Sequence, residues 1–305
     1  MANSEQSRII DLIAAQGPCT GLELKKESEL DSLALWRACK TSPELQVRCL
    51  GRRYLRLDRR VDGFARLSPS ILREFLTYSV VGLIREPVPL EKRCRQVIGR
   101  IHEITRYKYD LARQLVAEVM AELRDEVPDS LPACFILAGD IVHDMAHDVP
   151  RPEHSSGKLV KGSDIDLVVV VDDLYSESDL ARLDGIIYRK KYRLLIDPAV
   201  NEELDYKVKR LAVVRKQADF ADFPHMVAIK ILHEGLLLAG SEDLFDTVKA
   251  IIKNQGLLEK LDGLEELARS LRKQAETDIL EGRLGPAEIK KMGFFYSAEE
   301  FEEFE

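Results

Sequence analysis

The sequence predicts an α+β chain: a mixed β-sheet with flanking helices, preceded by a small helix-rich N-terminal unit and long bracing helices. Three observations carry this expectation. Gly162-Ser163-Asp164-Ile165-Asp166-Leu167 runs straight into Val168-Val169-Val170-Val171, which reads as a buried strand opened by a turn. Between Leu90 and Glu126, Val97, Ile101, Ile104, Leu111, Leu115, Val116, Val119 and Leu123 recur at helical spacing. From Ser4 to Leu83, short amphipathic stretches give way to two alternating ones.

Composition bounds the answer. At 305 residues and 45% hydrophobic content, the chain can build two modest domains with cores of their own. A net charge of −8 argues against a protein that coats nucleic acid non-specifically, and leaves room for a local basic patch. Cys19, Cys39, Cys49, Cys94 and Cys134 form no C-x-x-C pair, which points to buried thiols in a reducing cytoplasm. Residues Met1 to Gly17 lack the layout of a signal peptide, and no apolar run is long enough to span a bilayer. The expectation is a cytoplasmic protein without membrane insertion.

In the first unit (1–86), Ile9, Ile10, Leu12 and Ile13 mark a helix stopped by Gly17-Pro18. Thr20 suits the cap of a second helix carrying Leu22 and Leu24, and Ser32 the start of a third with Leu33, Leu35, Trp36 and Cys39. Leu45–Leu50 and Tyr54–Leu57 alternate on either side of Gly51-Arg52-Arg53 and read as a hairpin. Three helices followed by a hairpin resemble a winged helix-turn-helix. Arg48, Arg52, Arg53, Arg56, Arg59, Arg60 and Arg66 make this hairpin region basic against Asp58 and Asp62. A wing gripping a DNA backbone and a solvated or protein-docking face are both open readings.

Pro87 and Pro89 mark a linker, and residues 87–130 hold it together with the bracing helices, which Pro128 and Pro132 end. The second domain (131–250) opens with a strand, Cys134–Ala138, ending at Gly139-Asp140. After a long polar connection comes the Asp164/Asp166 strand, then a helix from Asp179 to Tyr188 and a third strand from Leu204 to Leu211. A helix from His225 to Glu234, a strand from Gly235 to Ala239 and an amphipathic helix from Leu257 to Ile279 follow. Residues 251–305 end in an acidic, aromatic tail that reads as mobile.

Asp164 and Asp166, two residues apart on a strand, point to one face. Two carboxylates at a strand mouth suit the holding of Mg²⁺ against a triphosphate, and Gly162-Ser163 offers backbone N–H groups and a hydroxyl to phosphate. Asp205 is the natural third carboxylate, sharing parity with Glu203, Lys207 and Lys209, while Leu204, Tyr206 and Val208 face the core. Gly-Ser-Asp-x-Asp on a strand, a third Asp one helix and one strand later, and then His233-Glu234-Gly235-Leu236-Leu237-Leu238-Ala239 resemble the DNA polymerase β-type nucleotidyltransferase superfamily.

That resemblance implies Mg²⁺ or Mn²⁺ held by Asp164, Asp166 and Asp205. It also implies transfer of a nucleoside monophosphate from a (d)NTP to a hydroxyl. The family places its phosphate glycines about ten residues before the D-x-D, whereas Gly139-Asp140 lies about two dozen residues before Asp164. Either Ser155-Ser156-Gly157 or Gly139 serves as the phosphate element; Gly139 suits the backbone geometry better, with Lys158 or Lys161 supplying charge. The intervening His143-Asp144-x-x-His147-Asp148, with His154 beyond, reads as a zinc pair on one helical face or as a polar loop.

For the acceptor, Gly293-Phe294-Phe295-Tyr296-Ser297 sets a tyrosine between apolar anchors and the acidic end. Resemblance to the Hailong-type antiphage nucleotidyltransferases implies a chain self-primed on Tyr296 that builds an oligonucleotide from adenine nucleotides, and an effector protein as partner. Docking of the aromatic cluster onto the protein is the other reading. Modification of a partner protein, as in antitoxin-type relatives of the superfamily, and nucleotide sensing by a DNA-binding regulator remain alternative functions.

Overall fold

In the computed structural model, residues 2–126, 132–153 and 157–296 are described. His154, Ser155, Ser156, Pro128 and the acidic end beyond Tyr296 lie outside the described residues. The chain is a mixed α+β protein with several small sheets and, among the described residues, no barrel. It divides into two compact units, residues 1–101 with 264–305, and residues 102–263. The bracing helix is therefore shared between the units, and the end of the chain belongs with its beginning.

The first unit opens with α1 (Ala2–Gln16), β1 (Cys19–Thr20), α2 (Gly21–Glu27) and α3 (Ser32–Thr41). Gly17, at φ +89°, ends α1. The Thr20 hydroxyl accepts the Glu23 N–H at 3.2 Å and the Glu23 carboxylate accepts the Thr20 N–H at 2.7 Å, a reciprocal cap that fixes the start of α2. α3 starts at Ser32 as expected, and Asp31 caps it, its side chain accepting the Ala34 N–H at 2.9 Å. Then come β2 (Leu45–Cys49), β3 (Tyr54–Leu57), β4 (Ala65–Ser68), α4 (Ile71–Thr77), β5 (Ser79–Leu83) and α5 (Pro87–Glu126).

The expected hairpin does not form. β2 pairs antiparallel with β5, and β5 with β1, giving the order β1-β5-β2, while β3 pairs with β4 in a ribbon of its own. Alternation marks a strand but does not name its partner, and β5 supplies a buried, β-branched strand that β3 does not match. The basic residues are redistributed as well. Arg53 pairs with Glu74 at 2.6 Å, buried Arg66 with Asp58 at 3.1 Å, and Arg48 lies 3.8 Å from Glu91. Pro87 and Pro89 are not a linker. They open α5, one continuous 40-residue helix, because a proline in the first turn has no intrahelical N–H to lose.

The second unit is built on a four-stranded sheet. Its elements are β6 (Ala133–Ala138), the hairpin of β7 (Pro150–Pro152) and β8 (Leu159–Lys161), β9 (Ile165–Val171), α6 (Glu177–Ile196), β10 (Leu204–Arg210), α7 (Leu211–Gln217), α8 (Phe223–Glu234), β11 (Leu236–Gly240) and α9 (Glu242–Asn254). The order is β10-β9-β6-β11, with β9 and β10 parallel and the other pairs antiparallel. The parallel pair requires a crossover, and α6 supplies it, running eight residues past the expected Tyr188. Phe135, Leu137, Leu167, Val169, Val171 and Leu204 form one core with Leu115, Val116 and Val119 of α5 and Leu183, Ile186 and Ile187 of α6. Asp164, Asp166 and Asp205 belong to the opposite parity.

The chain then runs through α10 (Leu257–Leu280) and α11 (Pro286–Met292) to an aromatic segment, Phe294–Tyr296, in the first unit. Phe295 is buried edge-on against Trp36, with ring centroids 5.7 Å apart. The Ile71 and Leu72 N–H groups donate to the carbonyls of Phe294 and Phe295 at 3.0 and 2.6 Å. Those donors belong to the first turn of α4, where no intrahelical acceptor exists, so the Phe294 and Phe295 carbonyls complete the helix. All five cysteines are free, with only Cys49 exposed. Among the described residues, no helix is long and apolar enough to cross a membrane.

Candidate active site

Asp166 is the second residue of β9, the strand between β6 and β10. Its register partners are Ala138 on one side and Asp205 on the other. Residues level with each other on neighbouring strands share a face, so the Asp166 and Asp205 side chains project together. Asp164, just before β9, has the same parity. Asp205 is exposed, and Asp164 and Asp166 are half-buried.

Two glycines let the loops around these carboxylates close. At Gly139, φ is +71° and an added Cβ would stand 1.9 Å from Asp166 Oδ2, so the carboxylate rests on bare backbone. At Gly162, φ is +60° and a Cβ would meet the His147 carbonyl oxygen at 1.9 Å. Ser163 then locks the two loops together. Its hydroxyl donates to Asp140 Oδ2 at 2.6 Å and accepts the His147 N–H at 3.2 Å, and its own N–H donates to the His147 carbonyl at 3.0 Å. Ser163 is buried, so its hydroxyl serves the loop and not an open phosphate site. Gly139, one of the two candidate phosphate elements, lies beside Asp166, while Ser155 and Ser156 of the other lie outside the described residues.

Two buried cations without a signature in the sequence lie beneath. Lys108 of α5 is fully buried, and its Nζ donates to the carbonyls of Lys161 and Ser163, both at 2.7 Å, and to the Glu202 carboxylate. Burial pulls the Lys108 ammonium below its usual range and pushes the Glu202 carboxyl above its own, against their mutual attraction. Arg151 of β7 is also buried. Its Nε donates to the Gly162 carbonyl at 2.6 Å, and its guanidinium lies 2.8 Å from Glu203 and 3.7 Å from Asp164. Two cations thus hold the Gly162–Asp164 turn from behind. In the sequence they look like ordinary surface charges, and only their burial sets them apart.

The other expected residues are placed differently. Lys161 Nζ donates to the Ala199 carbonyl at 3.0 Å, and Lys158 is exposed on the β7–β8 connection. The zinc pair does not form on one helical face. A 3-10 turn covers only Gly139–His143, and Asp144 is left-handed at φ +61°, which ends the helix between the two histidines. His143 instead bonds Glu234 at 2.9 Å, and Glu234 pairs with Lys230 at 2.6 Å. Along β10, Lys207 is exposed, and Lys209 donates to Gln217 at 3.1 Å. Burial, helped by the Lys207 charge, lowers the Lys209 ammonium to about 8. Tyr296 belongs to the other unit, half-buried and edge-on to Phe295 with centroids 5.6 Å apart, so the aromatic cluster docks.

The donor chemistry of Asp164, Asp166 and Asp205 fits a hard divalent cation. Among the described residues, no three His, Cys, Asp or Glu side chains converge into a closed metal group. Mg²⁺ bound through one or two carboxylates, with phosphate oxygens and water completing the octahedron, needs no such closed group. Comparison with protein-family models, curated proteins and solved structures finds no match to this chain.

Proposed function

We propose that the second unit is a metal-dependent nucleotidyltransferase that moves a nucleoside monophosphate from a (d)NTP to a hydroxyl acceptor. The observation that carries this reading is the level pairing of Asp205 with Asp166 on parallel strands, with Asp164 at the same parity. Asp164, Asp166 and Asp205 would hold Mg²⁺ or Mn²⁺, which when bound neutralises the triphosphate and makes the acceptor hydroxyl easier to deprotonate. Gly139 keeps the backbone beside Asp166 free of a side chain, which suits close approach of phosphate. Exposed Asp205 is the carboxylate best placed to receive an acceptor from solvent, and Lys207 adds a positive charge on the same strand face.

The docking of Phe294–Tyr296 in the first unit favours an acceptor other than Tyr296. In the first unit, three helices on a sheet of order β1-β5-β2 support a winged-helix-like reading, with the segment between β2 and β5 enlarged by β3, β4 and α4.

Incubation with labelled ATP and dATP in Mg²⁺ or Mn²⁺, resolved on a sizing gel, tests the activity. Transfer to a hydroxyl acceptor is expected, and Asp164→Asn with Asp166→Asn should abolish it. Transfer that survives the double substitution would sink the assignment.

A further inference from the structure

α6 carries a surface that the proposed chemistry does not use. Tyr188 and Tyr192 lie one helical turn apart, with 59% and 54% of their surfaces exposed. Aromatic side chains left this open on a helix of the crossover type contribute little to the core that α6 covers with Leu183, Ile186 and Ile187. From Arg182 to Arg193 the helix holds five cationic residues against one aspartate, within a chain whose net charge is −8.

Helical geometry places these charges on both flanks of the tyrosines. Arg182, Arg189 and Arg193 share the flank toward α5, where Glu122 holds Arg189 and where Glu118 pairs with Lys190 at 3.0 Å. Lys191 lies on the other flank, toward β10. The row begins beside the strand that carries Asp205. Tyr206, the next residue, donates its hydroxyl to Asp184 at 3.1 Å, one turn before Tyr188.

We propose that this face of α6 binds single-stranded nucleic acid, with bases stacked on Tyr188 and Tyr192 and the backbone phosphates drawn by Lys191 and Arg193. The chemistry that recognises such a strand is an exposed aromatic platform bordered by cations. A duplex offers no free base faces to the tyrosines, so the site distinguishes single strands from double. A second copy of this chain is a poorer occupant, because the same positive patch would face itself across a symmetric contact. The binding does not depend on the transfer activity.

The experiment uses the full-length Asp166→Asn protein, so that no turnover is involved. Fluorescence anisotropy is measured with an oligothymidylate of about fifteen nucleotides and with a duplex of matched length. Preference for the single strand is expected, with affinity falling steeply between about 50 and about 200 mM salt. Tyr188→Ser with Tyr192→Ser should weaken single-strand binding about tenfold or more while leaving the thermal midpoint unchanged. Arg193→Gln with Lys191→Gln should reduce the salt dependence. Absence of binding at low salt, equal binding of the duplex, or binding indifferent to the tyrosine pair would overturn the proposal. So would a concentration-dependent dimer that the tyrosine substitutions dissolve.

Discussion

Asp166 Oδ2 lies 1.9 Å from the point where a side chain on residue 139 would begin. The carboxylate at the centre of the sheet therefore exists in its place only because residue 139 is glycine. Gly139→Ala should displace Asp166 and strain a left-handed backbone at once. Transfer is expected to fall by about a hundredfold or more, the scale on which misplacement by about an ångström acts. Stability should fall by about 1 kcal/mol or more. Kinetics with circular dichroism on one preparation separates the two effects, and full activity in Gly139→Ala would contradict the geometry.

Lys108 and Glu202 stand or fall together. Lys108→Met leaves a buried carboxylate without its cation and should cost about 3–5 kcal/mol. Lys108→Met with Glu202→Leu should recover a large part of that loss, because the buried charge goes with its partner. Urea denaturation of the single and double variants checks this. A double variant as unstable as the single one would mean that the bonds to the Lys161 and Ser163 carbonyls dominate.

In the first unit, burial raises the Glu74 carboxyl, but hydrogen bonds from Arg53 and the charges of Arg272 and Arg53 outweigh it and hold Glu74 below the usual range. A depressed carboxyl stabilises the fold above its unfolded value and ceases to do so as pH falls through its folded value. Stability should therefore decline on acidification below the ordinary carboxylate range. Glu74→Gln should cost about 3 kcal/mol or more at neutral pH and flatten that decline. Denaturation midpoints across the acid range measure both.

Lys209 has the opposite sign. Its folded value near 8 lies below the ordinary 10.5, so the half-buried ammonium opposes folding at neutral pH. The opposition is relieved as pH rises from about 8 to the unfolded value. Lys209→Met should raise stability at pH 7, by on the order of 3 kcal/mol at most, and remove the gain between neutral and alkaline pH. Unfolding curves at the two ends of that window provide the check.

Phe295→Ala should destabilise the first unit by about 3–5 kcal/mol, because it empties a fully packed site against Trp36. Tyr296→Phe should leave transfer unchanged, since the ring keeps its edge-on contact with Phe295. Loss of initiation in Tyr296→Phe alone would instead make Tyr296 the acceptor. Thermal melting and a labelled-nucleotide assay on both variants decide the matter.

Local signals were legible wherever neighbouring residues determine the outcome. The valine run after Asp166, the Gly17 stop, the Thr20 cap and the apolar stripe of α5 act through interactions within a turn or two, and each element lies close to where its residues place it. The parity of Asp164, Asp166 and Asp205 was legible for the same reason, because side-chain direction alternates along any strand. The β2 pairing was not, because alternation is satisfied equally by β3 or by β5. The closure of α4 by Phe294 and Phe295 was not legible either, because it joins segments more than two hundred residues apart.

The sequence alone determined which residues carry charge toward one face of the sheet and where most helices begin and end, since these follow from backbone periodicity and local hydrogen bonding. Tertiary structure alone decided that Asp205 stands level with Asp166, that Gly139 lies under that carboxylate, and that Lys108 and Arg151 are sealed behind the turn. Register, burial and the pairing of distant charges depend on how the whole chain excludes water, and no short stretch of sequence encodes that.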